Sequence, residues 1–83
     1  MKIHLRYFAS VREQIGLAEE TIETQAPNLN GLRAELIARG PAYASALETG
    51  KAIRMAMNQK VCDGDTPLAQ NAEVAFFPPV TGG

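Results

Sequence analysis

The sequence has little that would support chemistry of its own. Among 83 residues there is one cysteine and one histidine, and no tryptophan. A single thiol, Cys62, excludes an internal disulfide framework and fits a reducing compartment. Beside a valine in a short apolar run, it reads as a small core residue rather than a sulfur-handling group. His4 has no cysteine or second histidine at ligand spacing, so no metal site is expected. Asp63 and Asp65 flank Gly64 but lack the remaining ligands of a calcium loop, and they read as a turn. Neither sign of charge dominates: eight Lys and Arg against nine Asp and Glu leave a net charge of −1. With the charges scattered, there is no electrostatic footprint for nucleic acid. No apolar run approaches the ~20 residues of a membrane span, and Met1-Lys2-Ile3-His4 is no signal-peptide core. A phosphate loop, a nucleophile–base pair and paired carboxylates are also missing. These absences describe a small cytoplasmic domain that catalyses nothing alone and binds neither nucleic acid nor membrane.

What is present is a succession of short amphipathic segments. Lys2 to Phe8 alternates, with Ile3, Leu5 and Tyr7 on one side and His4, Arg6 and Phe8 on the other. Ser10, with Glu13 three residues on, has capping-box spacing for a short helix that Gly16 closes. Glu19 to Thr24 is a thin, acidic strand of the kind found at sheet edges. Asn28 is placed to cap the main helix, whose stripe is Leu29, Leu32, Leu36 and Ile37. Arg33, Glu35 and Arg39 are assigned to its wet face. Gly40-Pro41 stops it, and Ala42 to Glu48 forms a further helical segment. Ala52 to Asn58 alternates again, with Ile53, Met55 and Met57 inward and Arg54 and Ala56 outward. Asn58-Gln59 turns into a short return strand, Lys60 to Cys62. The last strand is Glu73 to Phe77. The order implies an α+β domain of about five strands with one main helix across one face.

The end of the chain is its most specific stretch. Pro78-Pro79 stops the strand, since neither proline can donate to a ladder. Val80-Thr81-Gly82-Gly83 then spans roughly 13–14 Å when extended. The two glycines carry no side chain, so they fit a channel too narrow for a Cβ. Two terminal glycines alone arise by chance in roughly 0.5% of chains at average glycine usage. The specificity comes from the aromatic strand and the proline pair that precede them.

With these elements in this order, the chain resembles the MoaD family, the small subunit of molybdopterin synthase. The resemblance is carried by Phe8-Ala9-Ser10-Val11-Arg12-Glu13, by Met57-Asn58-Gln59 and above all by Glu73 to Gly83. One departure is Gln70-Asn71-Ala72-Glu73, where the family usually has an acidic residue and glycine in the turn. Asn71 tolerates the left-handed conformation, so a local change is expected there.

The resemblance implies a ubiquitin-like β-grasp domain over residues 1–78, with a flexible tail over 79–83. It implies that an adenylating enzyme (MoeB-like) activates the Gly83 carboxylate with ATP and magnesium, and that a persulfide donor converts it to a thiocarboxylate. Val80, Thr81 and Gly82 would carry it into the large synthase subunit (MoaE-like), where sulfur passes to a cyclic pterin monophosphate. Two small and two large subunits would assemble, and this chain would bind no cofactor itself. In a β-grasp sheet the first and last strands are parallel neighbours. Strand parity then puts Phe8 and Phe77 together on the open face beside Pro78 and Pro79, as a partner-binding patch. Two other readings stay open. One is a sulfur carrier for another pathway, such as thiazole synthesis, or a protein modifier using the same adenylate. The other is a β-grasp binding module whose tail is idle.

Overall fold

The computed structural model describes residues 1–48 and 50–79. In chain order the elements are β1 (Lys2–Tyr7), α1 (Ala9–Ile15), β2 (Glu19–Glu23), α2 (Leu29–Ile37), α3 (Pro41–Leu47), β3 (Arg54–Met57), β4 (Lys60–Val61) and β5 (Glu73–Phe77). The strands form one mixed sheet in the order β2-β1-β5-β3-β4. β5 is central, parallel to β1 and antiparallel to β3. β1 and β2 are antiparallel, joined through α1, and β3 and β4 form a hairpin. This is the α+β, ubiquitin-like β-grasp arrangement expected from the sequence. No helix among the described residues is long and apolar enough to cross a membrane.

Alternation in the strands sorts residues between the two faces. Ile3, Leu5, Tyr7, Ile22, Met55, Val74 and Phe76 are buried beneath Leu29, Leu32 and Leu36 of α2, with Val11, Ala46 and Leu47 completing the core. Tyr7 and Phe76 stack with ring centroids 6.3 Å apart, joining the two parallel strands within the core. Ile53, Met57, Cys62 and Leu68 pack half-buried around it. Cys62 is therefore a rim residue rather than a buried one, and its Sγ donates to the Lys60 carbonyl oxygen. Asn28 caps α2 as expected, its Oδ1 accepting from Gly31 N at 2.8 Å. A Cβ on Gly31 would stand 3.0 Å from Pro27 Cδ, so the chain's close approach at this cap accounts for the glycine.

Three details differ from expectation. The N-cap of α1 is Phe8, with no side-chain bond; Ser10 lies inside the helix, so the capping box with Glu13 does not form. Val11 N and Arg12 N both reach back to the Phe8 carbonyl instead. Pro41 does not only end α2: it starts α3 at the first helical position, where its missing N–H is harmless. Arg33 is buried rather than solvated, at 9% exposure. Its Nε donates to Leu47 O at 2.7 Å, and Nη2 donates to Glu48 O at 2.7 Å and Lys51 O at 3.1 Å. These carbonyls lie at and beyond the C-terminal end of α3, where helix carbonyls lack intrahelical partners; Glu48 O and Lys51 O also accept from Lys51 N and Ile53 N, each at 2.9 Å. Burial lowers the guanidinium's proton affinity, and no carboxylate is among its partners.

Candidate functional site

The open face of the sheet is assembled by register. His4 pairs with Glu73, Arg6 with Ala75, Arg54 with Phe77, and Ala56 with both Ala75 and Val61. Each of these residues is thus on the face away from the helices. Ala56 points outward as expected, yet it is only 7% exposed, because a methyl group between neighbouring strands barely clears them. The middle of the face is flat, built from Ala75 and Ala56.

Towards the C-terminal end of β5 this face becomes a shallow groove of about 710 Å³. It is lined by Arg6, Phe8, Ala9, Gln59, Glu73, Ala75, Phe77, Pro78 and Pro79. Phe8 reaches it because β1 runs one hydrogen bond beyond its ladder: Phe8 N donates to Phe76 O at 3.2 Å. Ala9 then takes φ 51 and turns the chain abruptly into α1, leaving the Phe8 ring 41% exposed. The Arg6 guanidinium carbon stands 5.4 Å from the centroid of that ring, a cation–π contact. Phe77 is half-buried on the same wall. Beyond it Pro78 and Pro79 have no N–H, so pairing with the neighbouring strands stops at this point.

The opposite wall comes from the β3–β4 hairpin. Asn58 and Gln59 have φ 53 and φ 70, the two left-handed residues of a type I′ turn. Asn58 N donates to Glu73 O at 2.8 Å, and Asn58 Oδ1 accepts from Glu73 N at 3.0 Å. The turn is thus locked to the start of β5. Gln59 occupies a conformation that favours glycine and lines the groove. Val61, 62% exposed, extends the apolar area on the same face. Sequence reading placed Val61 only within a return strand; its parity with Ala56 was the signal that it belonged with Phe77.

The structure therefore brings Phe8, Phe77, Pro78 and Pro79 into one groove. Val80, Thr81, Gly82 and Gly83 lie outside the described residues. Among the described residues no three His, Cys, Asp or Glu side chains are grouped to hold a metal ion. His4 is exposed, and its Nδ1 shares a hydrogen bond with Thr21 Oγ1 at 3.0 Å.

Strongly shifted titrations lie on the core side, away from the groove. Glu20 Oε2 accepts from Tyr7 OH at 2.8 Å and Tyr43 OH at 2.7 Å, while Oε1 accepts from Arg39 at 3.0 Å. Burial pushes the Glu20 carboxyl up, but the bonds from Tyr43, Tyr7 and Arg39 outweigh it and hold it below its ordinary value. Tyr7 is pushed far upward, first by burial and then by the neighbouring carboxylate. This cluster ties β1, β2, the turn after α2 and α3 together and offers nothing to a ligand in the groove.

Residues 5–83 match the ThiS family. Over 81 residues the chain is 42% identical to the molybdopterin synthase sulfur carrier subunit of Escherichia coli K12, covering 98% of this chain and 99% of that protein. Its fold superimposes with a TM-score of 0.69 and 26% identity on a chain from the protein–protein complex of subunits 1 and 2 of the molybdopterin-converting factor of Helicobacter pylori, with full coverage of both. SAMP1 of Haloferax volcanii superimposes with a TM-score of 0.81 at 22% identity, covering all of both chains, a likeness of fold alone.

Proposed function

The chain belongs to the ThiS family, as a relative of its molybdopterin synthase (MoaD) members, and from that membership we propose that it is the sulfur carrier subunit of a molybdopterin synthase. The observation that carries this reading is the 42% identity, over 98% of the chain, to a molybdopterin synthase sulfur carrier subunit. The family match runs to residue 83 and so includes Val80-Thr81-Gly82-Gly83 as well as the folded domain.

The Gly83 carboxylate is the group that reacts. As an ion it is a poor electrophile, because its charge is delocalised and its leaving group would be oxide. An adenylating partner supplies ATP with magnesium, joins the carboxylate to AMP and releases pyrophosphate. A protein persulfide attacks the acyl carbon and AMP leaves. Cleavage of the resulting S–S bond by a thiol frees the thiocarboxylate. The tail then enters the large synthase subunit, and its sulfur passes to a cyclic pyranopterin monophosphate; two such transfers complete the dithiolene. In this reading the chain works in the cytoplasm, where ATP and thiols are at hand, in an assembly of two small and two large subunits.

The folded domain contributes reach and position. Pro78 and Pro79 fix the direction in which the chain leaves the sheet. From there the four residues 80–83 span roughly 13–14 Å. The groove of Phe8 and Phe77 docks the domain, so the tail arrives at a set depth. The adenylating enzyme, the persulfide donor and the large subunit carry the catalytic groups.

The test is single-turnover transfer. Thiocarboxylated chain is mixed with the large subunit and the cyclic pyranopterin monophosphate, and sulfur incorporation into the pterin is followed by mass spectrometry. Transfer of sulfur with return of the carboxylate form is expected. Retention of the sulfur here, with transfer in a thiazole-forming system instead, would assign the chain to another pathway.

A further inference from the structure

The docking groove has a flat centre and a charged frame, and the frame carries more information than the centre. Ala75 and Ala56 offer no knob or hole, so an apolar partner could seat on them in several rotations. The charged groups around them are unevenly placed. Arg6 on β1 is paired in register with Ala75, and Arg54 on β3 with Phe77, so the two arginines flank β5 from opposite sides near the root of the tail. Glu73 stands at the other end of β5, beside His4. Among the described residues neither Arg6 nor Arg54 forms an ion pair, and both are exposed. Arg39, in contrast, is engaged by Glu20. Arg6 is also restrained over the Phe8 ring, so its guanidinium is held at the groove rather than sweeping freely.

We infer that Arg6 and Arg54 form a specificity clamp that reads two carboxylate-bearing sites on the large synthase subunit. Those sites flank the apolar area that covers Phe8 and Phe77. With Glu73 at the other end of β5, and Glu19 beside Arg6 on the outer side in β2 without forming an ion pair with it, the uneven charge layout sets the rotation at which the tail is presented. In the productive orientation the guanidinium groups meet carboxylates. In the reversed one Glu73 is turned towards those carboxylates, and like charges collide. This inference rests on the sulfur-carrier reading above, and it adds the chemistry of the partner's face.

The experiment measures association of the chain with the large subunit of the same organism's synthase, by stopped-flow and calorimetry across a series of salt concentrations. Wild type is compared with Arg6→Gln, Arg54→Gln, the double Gln variant and Phe77→Ala. Each arginine variant should weaken binding roughly five- to tenfold, mostly through slower association, and the double variant should show a clearly flatter salt dependence. Thermal unfolding should be unchanged, since both side chains are exposed. If Phe77→Ala weakens binding while the double Gln variant keeps the wild-type affinity and salt slope, the clamp is refuted and the sulfur-carrier reading stands. If wild type fails to bind the large subunit at all, both fall.

Discussion

Replacing Phe76 and Phe77 by alanine, one at a time, separates the two faces of a single strand. Phe76 is fully buried against Tyr7 in the core, while its neighbour lines the open groove. Truncating a buried phenylalanine costs about 3–5 kcal/mol, from lost transfer energy and the cavity left behind. A domain of this length has a total stability of about 4–12 kcal/mol. Phe76→Ala therefore removes a large share of it. At about 4–8 °C per kcal/mol, the melting temperature should fall by roughly 12–40 °C. Phe77 is half-buried and leaves no enclosed cavity when truncated, so Phe77→Ala should cost about 1 kcal/mol or less. Its effect belongs in binding: a central aromatic anchor lost from an interface costs about 2 kcal/mol or more, roughly a 30-fold rise in Kd. Urea titration followed by circular dichroism gives the first quantity, and calorimetry with the large subunit gives the second. The reasoning is refuted if Phe77→Ala destabilises as much as Phe76→Ala, or if it leaves the affinity unchanged.

Arg33→Ala should lower stability by about 2–3 kcal/mol, because the charge-assisted bonds that tie α2 to the Leu47, Glu48 and Lys51 carbonyls are lost, although Glu48 O and Lys51 O each keep a backbone donor; an unchanged urea midpoint would contradict the role given to it. Glu20 is held below its ordinary pKa, so its contribution is complete above about pH 4.3 and disappears as pH falls through the lower folded value. The stability gap between wild type and Glu20→Gln should therefore be largest near pH 7 and narrow towards pH 3, whereas a constant gap would mean that the ionised carboxylate is not what the tyrosines require. Gln59→Gly should stabilise the domain by about 1 kcal/mol, by relieving a left-handed residue in the I′ turn. A loss of stability on that change would show that the Gln59 side chain contributes more than its backbone costs.

Much of the fold was legible because periodicity is a direct consequence of burial. Ile3, Leu5 and Tyr7 alternate with His4, Arg6 and Phe8, and the sheet separates them along that line. The same parity placed Phe8 and Phe77 on one face once β1 and β5 were parallel neighbours. Asn71, at φ 65, takes the left-handed turn its side chain tolerates. The errors arose where residue type was read in place of position. Arg33 lies four residues after Leu29 and so falls on the helix's buried stripe, but its charge suggested solvent. Glu20 shares the parity of Ile22 and meets Tyr7, Tyr43 and Arg39 at the core's edge. What those buried polar groups bind depends on loops and on α3, which no local pattern reveals. Ser10 failed as a cap for a related reason: β1 hands directly to α1 at Phe8, leaving no room for a capping side chain.

The central claim is that the Gly83 carboxyl carries the sulfur, and intact-mass spectrometry tests it most directly. The chain is incubated with its adenylating enzyme, ATP, magnesium and a persulfide donor, then weighed whole and fragmented. The account predicts a mass gain equal to exchange of one oxygen for sulfur, confined to the fragment that contains Gly83 and absent when Gly83 is deleted. Sulfur found on Cys62 instead, or no exchange in the presence of all components, would contradict it.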